Sequence, residues 1–185
     1  MKIIEPIEFQ FDVDGISKKQ LDVHMALYKG YITNFNALLQ DRIKYTDDMR
    51  VLSELTRRLS FEYNGIRLHE KYFENLMRET SIGAKFKLAA ISSFGSLEEW
   101  KNDFQKILLM RGIGWGIVYF DKKSNQLINT FVADHEIGHL TACEPILVCD
   151  LWEHAFSVDY LPNERIKYVE QLWSNINWDV VEERM

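Results

Sequence analysis

The sequence has little cysteine, little proline and no surplus of positive charge. Two cysteines in 185 residues are too few for a disulfide framework. The N-terminus has no apolar signal region, and no segment is apolar over a membrane-spanning length. No run of Lys and Arg is long enough to indicate nucleic-acid binding, and the formal net charge is −6. We therefore expect a cytoplasmic protein with no membrane or nucleic-acid partner, in which any anionic substrate needs a local basic patch.

What the sequence does contain is typical of a globular protein with a sizeable core. Hydrophobic residues make up 46% of the chain and charged residues 27%. Aromatic residues reach 13%, with five tryptophans. Large rings often wall a tight core or a site from which water is excluded. The length suits one domain or two small ones.

Two long helical runs are predicted first. Ser17 can cap the run "KKQLDVHMALYKGYITNFNALLQDRI". Its inward face follows helical spacing and consists of Leu21, His24, Tyr28, Tyr31, Phe35 and Leu38. The second run extends from about Asp47 to Met77, with Gly65 as a candidate break. The two runs predict an antiparallel helical hairpin.

The second half of the chain changes in character. Ser96 is a predicted N-cap of "LEEWKNDFQKIL", with Glu99 at the capping-box position. The segments "GWGIVYF", "QLINTFVA" and "PILVCDLW" predict three strands, and "DKKSNQ" predicts a hairpin turn. The segment "ERIKYVEQLWSNI" is helical again. We expect an α+β protein with a helical hairpin domain at 1–82 and an α/β domain with an antiparallel sheet at 83–185.

The five histidines suggest a metal site. His24 and His69 lie on the inward faces of different helices, although a lone His on an apolar face is more often a core residue. Asp150 ends a predicted strand, and His154 lies one turn into the segment that follows. These two side chains can converge on one ion. Three imidazoles and one carboxylate suit Fe, Mn or Zn.

A second histidine pattern points to a different chemistry. His135, Glu136 and His139 form His-Glu-x-x-His, the zinc motif of many metallopeptidases when it lies on a helix. No third ligand follows at the spacing of the longer form of that motif. Only Glu144 and Glu153 remain as candidates. We disfavour the peptidase interpretation for this reason.

Several motifs, in order along nearly the whole chain, resemble the iron/manganese superoxide dismutases. "DLWEHAFSVDY" resembles the family signature D-x-W-E-H-A. "FGSLEEWKNDF", "GIGWGIVYF" and "YVEQLWSNINWDVVEE" resemble further family segments. "HMALYKGYITNFNALL" is similar to the first family helix, and "LHEKYFENL" to the segment around the second ligand. The resemblance implies a helical domain followed by an α/β domain with a three-stranded antiparallel sheet.

The resemblance also implies a metal, a substrate and an assembly. The ligands would be His24, His69, Asp150 and His154, which hold one Fe or Mn ion per subunit. The reaction would convert superoxide to O₂ and H₂O₂ in a homodimer or tetramer. Gly65 replaces a residue typical of iron enzymes, whereas a His at 135 is more typical of them, and we slightly favour Fe. The alternative is a metal-binding or structural relative with weak or no turnover.

Further roles follow from the same resemblance. His135 would be the outer-sphere group that hydrogen-bonds the metal-bound solvent, and Tyr31 the gateway tyrosine. Trp115 and Trp152 would wall the site, and Arg165 would lie at the substrate funnel. Tyr31 follows His24 by seven residues, one fewer than is usual. We therefore expect the first helix to lack the π-type bulge of the family and to be regular.

The expected dimer interface contains Glu153, Phe156 and Ser157. In the family, the residue matching Glu153 reaches the ligand histidine of the other subunit. Tyr28 replaces a second histidine on the first helix, and Ser157 replaces that histidine's tyrosine partner. Because both partners have changed, we expect a rebuilt pair of Tyr28 with Ser157.

Overall fold

The computed structural model describes residues 2–185, and two long helices come first. Helix α1 spans Lys18–Lys44 and helix α2 spans Met49–Glu74. The hydroxyl of Ser17 accepts the N–H of Gln20 and caps α1, as the sequence predicts. A four-residue connection at 45–48 turns the chain, and α2 packs against α1. The predicted helical hairpin is therefore confirmed.

Three details of the hairpin differ from the sequence prediction. Helix α2 is shorter at both ends than the predicted run. Gly65 does not break it, and a Cβ at this position would come within 2.8 Å of the ring of Tyr31. At the end of the inward face of α1, Leu39 is buried, whereas Leu38 is only partly buried. Leu39 lies four residues after buried Phe35, which places it on the same side of the helix.

The second half combines helices with one sheet. Its elements are α3 (Ala84–Phe94), α4 (Leu97–Leu108), β1 (Gly114–Asp121), β2 (Gln126–Ala133), β3 (Glu144–Asp150), α5 (Arg165–Ser174) and α6 (Trp178–Glu183). The strand order is β2-β1-β3, and both pairings are antiparallel. The Ser96 cap and all three strands were predicted, which confirms the α+β class. Helix α6 was missed, although Asn177 caps it.

The sheet meets the hairpin at the carboxyl end of β3. Helix α2 packs against β3, and the side-chain oxygen of Asn75, directly after α2, accepts the N–H of Val148. Trp115 on β1 lies opposite Asp150 in the sheet register. The chain leaves β3 through a short 3₁₀ turn, Glu153–Ala155. Residues from both helices and from the sheet therefore meet in one buried region.

We find no helix in residues 2–185 that is long and apolar enough to span a membrane.

Candidate metal centre

Four side chains from four different elements meet between the hairpin and the sheet. His24 comes from α1, His69 from α2, Asp150 from the last position of β3, and His154 from the 3₁₀ turn. One candidate ligand atom from each lies within 4.8 Å of all the others. The first three residues are buried, and His154 is partly exposed. These are the four residues that spacing and resemblance both indicated.

The histidines converge on one oxygen of Asp150. Its Oδ2 lies 3.1 Å from Nε2 of His24, 3.1 Å from Nε2 of His154 and 3.7 Å from Nε2 of His69. The other oxygen, Oδ1, accepts the backbone N–H of Trp152, which fixes the plane of the carboxylate. Burial opposes ionisation of Asp150, but His154 and His24 outweigh it and hold its pKa well below the usual range.

The ring of His69 is oriented for ligation. Its Nδ1 lies 2.6 Å from the carbonyl oxygen of Gly65, which can only accept, so Nδ1 carries the proton. The lone pair of Nε2 then faces the centre, where that atom is buried without a hydrogen-bond partner. Burial lowers the pKa of both His69 and His24 below 6.5, so both rings are neutral near pH 7. Three imidazoles and one carboxylate fit a divalent or trivalent Fe or Mn ion.

A fourth histidine, His135, lies beside this group with its tautomer fixed. The Nε1–H of Trp115 donates to Nδ1 of His135 at 3.0 Å. Burial lowers the pKa of His135 to about 4, so the ring is neutral and its proton is on Nε2. That nitrogen lies 2.9 Å from the hydroxyl oxygen of Tyr31, to which it donates. The ring centroids of His135 and His69 are 6.1 Å apart, so His135 lies next to the ligand group.

Tyr31 reaches this position from a helix that is α-helical over its full length. Its ring lies 5.1 Å from the ring of His69 and perpendicular to that of His135. Burial raises the pKa of Tyr31 to about 12, so the hydroxyl keeps its proton near pH 7. Because His135 occupies the oxygen as a donor, the Tyr31 proton is available to another acceptor.

Two tryptophans enclose the group. The ring of Trp115 meets that of His69 edge-on at 5.0 Å and is fully buried. The ring of Trp152 stacks on His135 at 5.4 Å and on His154 at 5.7 Å. Large apolar rings on two sides exclude water, which strengthens electrostatic interactions inside the site.

The comparison with known families agrees with this geometry. The family model described as iron/manganese superoxide dismutases, C-terminal domain, matches residues 83–184, more than half of the chain. The chain belongs to the iron/manganese superoxide dismutase family. A relative from Aquifex pyrophilus, named an iron superoxide dismutase, is 34% identical over 94% of this chain and 85% of its own length. The resemblance of the motifs is thereby confirmed.

Other relatives differ in the metal that their names carry. One from Saccharolobus solfataricus, named an iron superoxide dismutase, is 30% identical over 98% of this chain and 92% of its own length. One from Glossina morsitans morsitans, named a mitochondrial manganese superoxide dismutase, is 30% identical over 91% and 81% respectively. The relatives of this chain thus include proteins named for either metal.

In this dismutase-family chain, Tyr28 meets partners other than Ser157 within its own subunit. Tyr28 is 0% exposed, and its hydroxyl donates to Oε1 of Glu70 at 3.0 Å and accepts the backbone N–H of Ile7. Arg67 in turn binds Glu70. The hydroxyl of Tyr28 therefore forms its hydrogen bonds inside its own subunit. Ser157 is exposed on the surface and is not one of its partners there. The pairing of Tyr28 with Ser157 across a dimer interface stays a prediction, because spacing does not show which partner a buried hydroxyl meets.

The other interface and funnel candidates divide into buried and exposed side chains. Phe156 is only 2% exposed in the described chain and packs on Tyr168, and its placement at a dimer interface stays a prediction. Glu153 is exposed beside the ligand group. The terminal nitrogens of Arg165 donate to the carbonyl oxygens of Gly112 and Leu108, so its guanidinium is bound to the end of α4 and to the loop before β1.

The His-Glu-x-x-His segment lies in a turn after β2 and not on a helix. Nε2 of His139 donates to the carbonyl oxygen of His135, and its Nδ1 accepts the hydroxyl proton of Tyr119. His139 therefore faces the sheet and not the four ligand candidates. The side chain of Asn64 donates to the same carbonyl of His135. This second anchor was not predicted, since nothing in the local pattern links α2 to the turn.

Proposed function

We propose that this chain is a superoxide dismutase that holds one Fe or Mn ion at His24, His69, Asp150 and His154. The observation that carries the proposal is the convergence of three imidazole nitrogens on one oxygen of Asp150, within 3.7 Å. Family membership and relatives named for both metals support the same conclusion. The greater similarity to relatives named for iron, together with His135, favours Fe.

When bound, an Fe or Mn ion would supply the one-electron redox chemistry by which one superoxide is oxidised to O₂ and a second, with two protons, is reduced to H₂O₂. The protein must hold the ion, exclude bulk water and bring protons. The three histidines and Asp150 hold it, and Trp115 and Trp152 line the enclosed side.

The proton supply in this proposal rests on Tyr31 and His135. Nε2–H of His135 donates to the oxygen of Tyr31, and this orients the Tyr31 proton away from His135. Tyr31 remains protonated near pH 7 because burial raises its pKa to about 12. It can therefore donate a hydrogen bond, or a proton, to a reduced oxygen species next to the ligand group.

Purification without added metal, followed by elemental analysis and a dismutation assay, tests the proposal. We expect about one Fe or Mn ion per chain, as a single four-ligand site dictates, and turnover that depends on it. Metal without turnover would support the second candidate, a metal-binding relative that has lost activity. A protein that takes up neither metal would contradict both.

Replacing Tyr31 by Phe should separate proton supply from packing. The ring and its contacts with His69 stay, and only the hydroxyl bonded to His135 is lost. We expect altered turnover or product inhibition, with metal content unchanged and a stability loss of about 0.5–1.5 kcal/mol from one hydrogen bond. Steady-state kinetics, elemental analysis and thermal unfolding measure these. Unchanged kinetics would assign Tyr31 to the core instead.

We also propose a homodimer whose interface includes Glu153. The proposal is supported by the exposed carboxylate of Glu153 directly before the ligand His154, and its side chain makes no hydrogen bond or ion pair within residues 2–185. Glu153→Ala should weaken both association in sedimentation and metal retention during dialysis. Glu98→Ala, which removes an exposed carboxylate from α4, serves as the control. A wild-type protein that is monomeric at micromolar concentration would contradict the proposal.

We also propose a division into two domains and a cellular location. The division into domains at 1–82 and 83–185 is supported by the connection between α2 and α3, and by the family model, which starts at residue 83. A cytosolic location is supported by Cys143 and Cys149, which are both free.

A further inference from the structure

One turn of α2 carries Arg58, Phe61 and Glu62, which lie beside Tyr31 and His135. The proposed reaction assigns these three residues no role. The ring of Phe61 lies 4.5 Å from that of His135 and 6.2 Å from that of Tyr31. The guanidinium carbon of Arg58 lies 3.8 Å from the centre of the Phe61 ring, within cation–π distance. A positive charge is thus stacked directly outside the residues proposed to supply protons.

Glu62 holds Arg58 in this position through an ion pair. Its Oε1 accepts Nε–H of Arg58 at 2.9 Å. The side chain of Glu62 is 3% exposed, whereas that of Arg58 is 49% exposed. The ion pair is therefore a dipole with its negative end in the protein and its positive end in solvent. The second oxygen of Glu62 is buried and has no hydrogen-bond partner among residues 2–185.

The outer face of the Arg58 guanidinium is free for a ligand. Only Nε is used by Glu62, and the two terminal nitrogens make no hydrogen bond within the described residues 2–185. By contrast, the terminal nitrogens of Arg165 already bind backbone carbonyls. Arg58 also acts electrostatically on the inner residues. Burial lowers the pKa of His135, and the positive charge of Arg58 lowers this pKa further. Burial raises the pKa of Tyr31, and the positive charge of Arg58 opposes this rise.

We propose that Arg58, stacked on Phe61 and held by Glu62, is the anion-attracting residue at the entrance to the metal centre. A chain with a net charge of −6 repels an anionic substrate at long range, so a local positive charge is needed to collect it. Arg58 would draw small monovalent anions toward Tyr31 and His135. The identity of the physiological anion, superoxide, rests on the proposed function. The attraction of small anions in general does not depend on the proposed function.

The neighbouring arginine provides a matched control. Arg57 carries the same charge one residue earlier, is 75% exposed and pairs with the exposed carboxylate of Glu54. It makes no contact with Phe61 among the cation–π pairs of the described chain. Arg57→Gln and Arg58→Gln therefore change the net charge equally, but only Arg58→Gln also removes the partner of the buried carboxylate of Glu62. Arg58→Lys keeps the charge but not the planar guanidinium.

The test uses two readouts on iron-loaded protein: the second-order rate of dismutation, and the affinity for azide by calorimetry. At low ionic strength, Arg58→Gln should lower both by about three- to tenfold, and the difference should shrink at about 0.2 M salt because screening removes steering. Arg58→Lys should restore most of the loss, and Arg57→Gln should stay near wild type. Metal content and melting temperature show that each variant is folded.

Each alternative outcome has one meaning. Equal effects of Arg57→Gln and Arg58→Gln would overturn the proposal, because only net charge would then matter. A salt-independent loss in Arg58→Gln would also overturn it, since that result indicates a packing role. If the loaded wild type shows no dismutation, the proposed function fails, while the azide measurement still decides whether Arg58 attracts anions.

Discussion

Asp150→Ala is expected to abolish metal binding and, with it, all dismutation. Asp150 is fully buried and supplies both the only carboxylate of the group and the oxygen on which three histidines converge. Its pKa lies well below the usual range, so it carries a full negative charge near pH 7. Without it, three imidazoles alone would have to hold a multiply charged ion in a buried site, which costs several kcal/mol. Elemental analysis should find less than about a tenth of an ion per chain, as expected for a lost buried ligand.

Two further variants make this result specific. Asp150→Asn removes the charge but keeps an oxygen for the N–H of Trp152, so loss of metal in a folded Asn variant assigns the effect to ligation. Asp22→Ala removes an exposed carboxylate that pairs only with Lys18, and it should leave metal content and activity unchanged. Metal retained in Asp150→Ala, and bound through His135 and His139, would contradict the assigned centre.

Gly65→Ala is expected to displace Tyr31 and to lower both stability and activity. A Cβ at position 65 would lie 2.8 Å from Cδ1 of Tyr31 and 3.1 Å from Cε1. Ring atoms cannot yield without moving the side chain, so the Tyr31–His135 hydrogen bond should be broken or distorted. We expect a loss of about 1–3 kcal/mol in the free energy of unfolding, as in other overpacked sites. Chemical denaturation of the metal-free protein measures this value.

Gly30→Ala is the matched control, because Gly30 lies in α1 and a Cβ added there would meet nothing within 4 Å. In a helix, Gly→Ala without a clash should stabilise the protein by about 0.5–1 kcal/mol. A Tyr31→Ala background removes the clash, and there Gly65→Ala should become neutral or stabilising. If Gly65→Ala is instead stabilising with Tyr31 present, the close packing of the two residues is not maintained in solution.

Much of the fold could be predicted because it depends on short-range patterns. The inward residues of α1 recur at helical spacing, and Ser17 and Ser96 precede helices that their hydroxyls cap. The three strands are short apolar runs separated by turn residues, and all three were found. Helix α6 was missed because six residues carry too little periodicity to be distinguished from a continuing segment.

Sequence patterns do not show which partner a side chain meets far away in the chain. Tyr28 lies on the expected face of α1, and its hydroxyl bonds to Glu70, 42 residues away. Phe156 follows a ligand motif, yet it packs inward on Tyr168. Helical spacing gives the direction of a side chain and not the atom it meets.

The sequence by itself determined the family, the four candidate ligands and the order of helices and strands, because these follow from ordered motifs and from local periodicity. Only the tertiary structure decided the finer chemistry of the site. The Nε2 tautomer of His135 depends on a donor from β1, its carbonyl is held by Asn64 of α2, and Arg58 gains its place only by stacking on Phe61. The physical reason is that a hydrogen bond or a stacked charge requires positions fixed to a fraction of an ångström, and only the packing of α1, α2 and the sheet together fixes them.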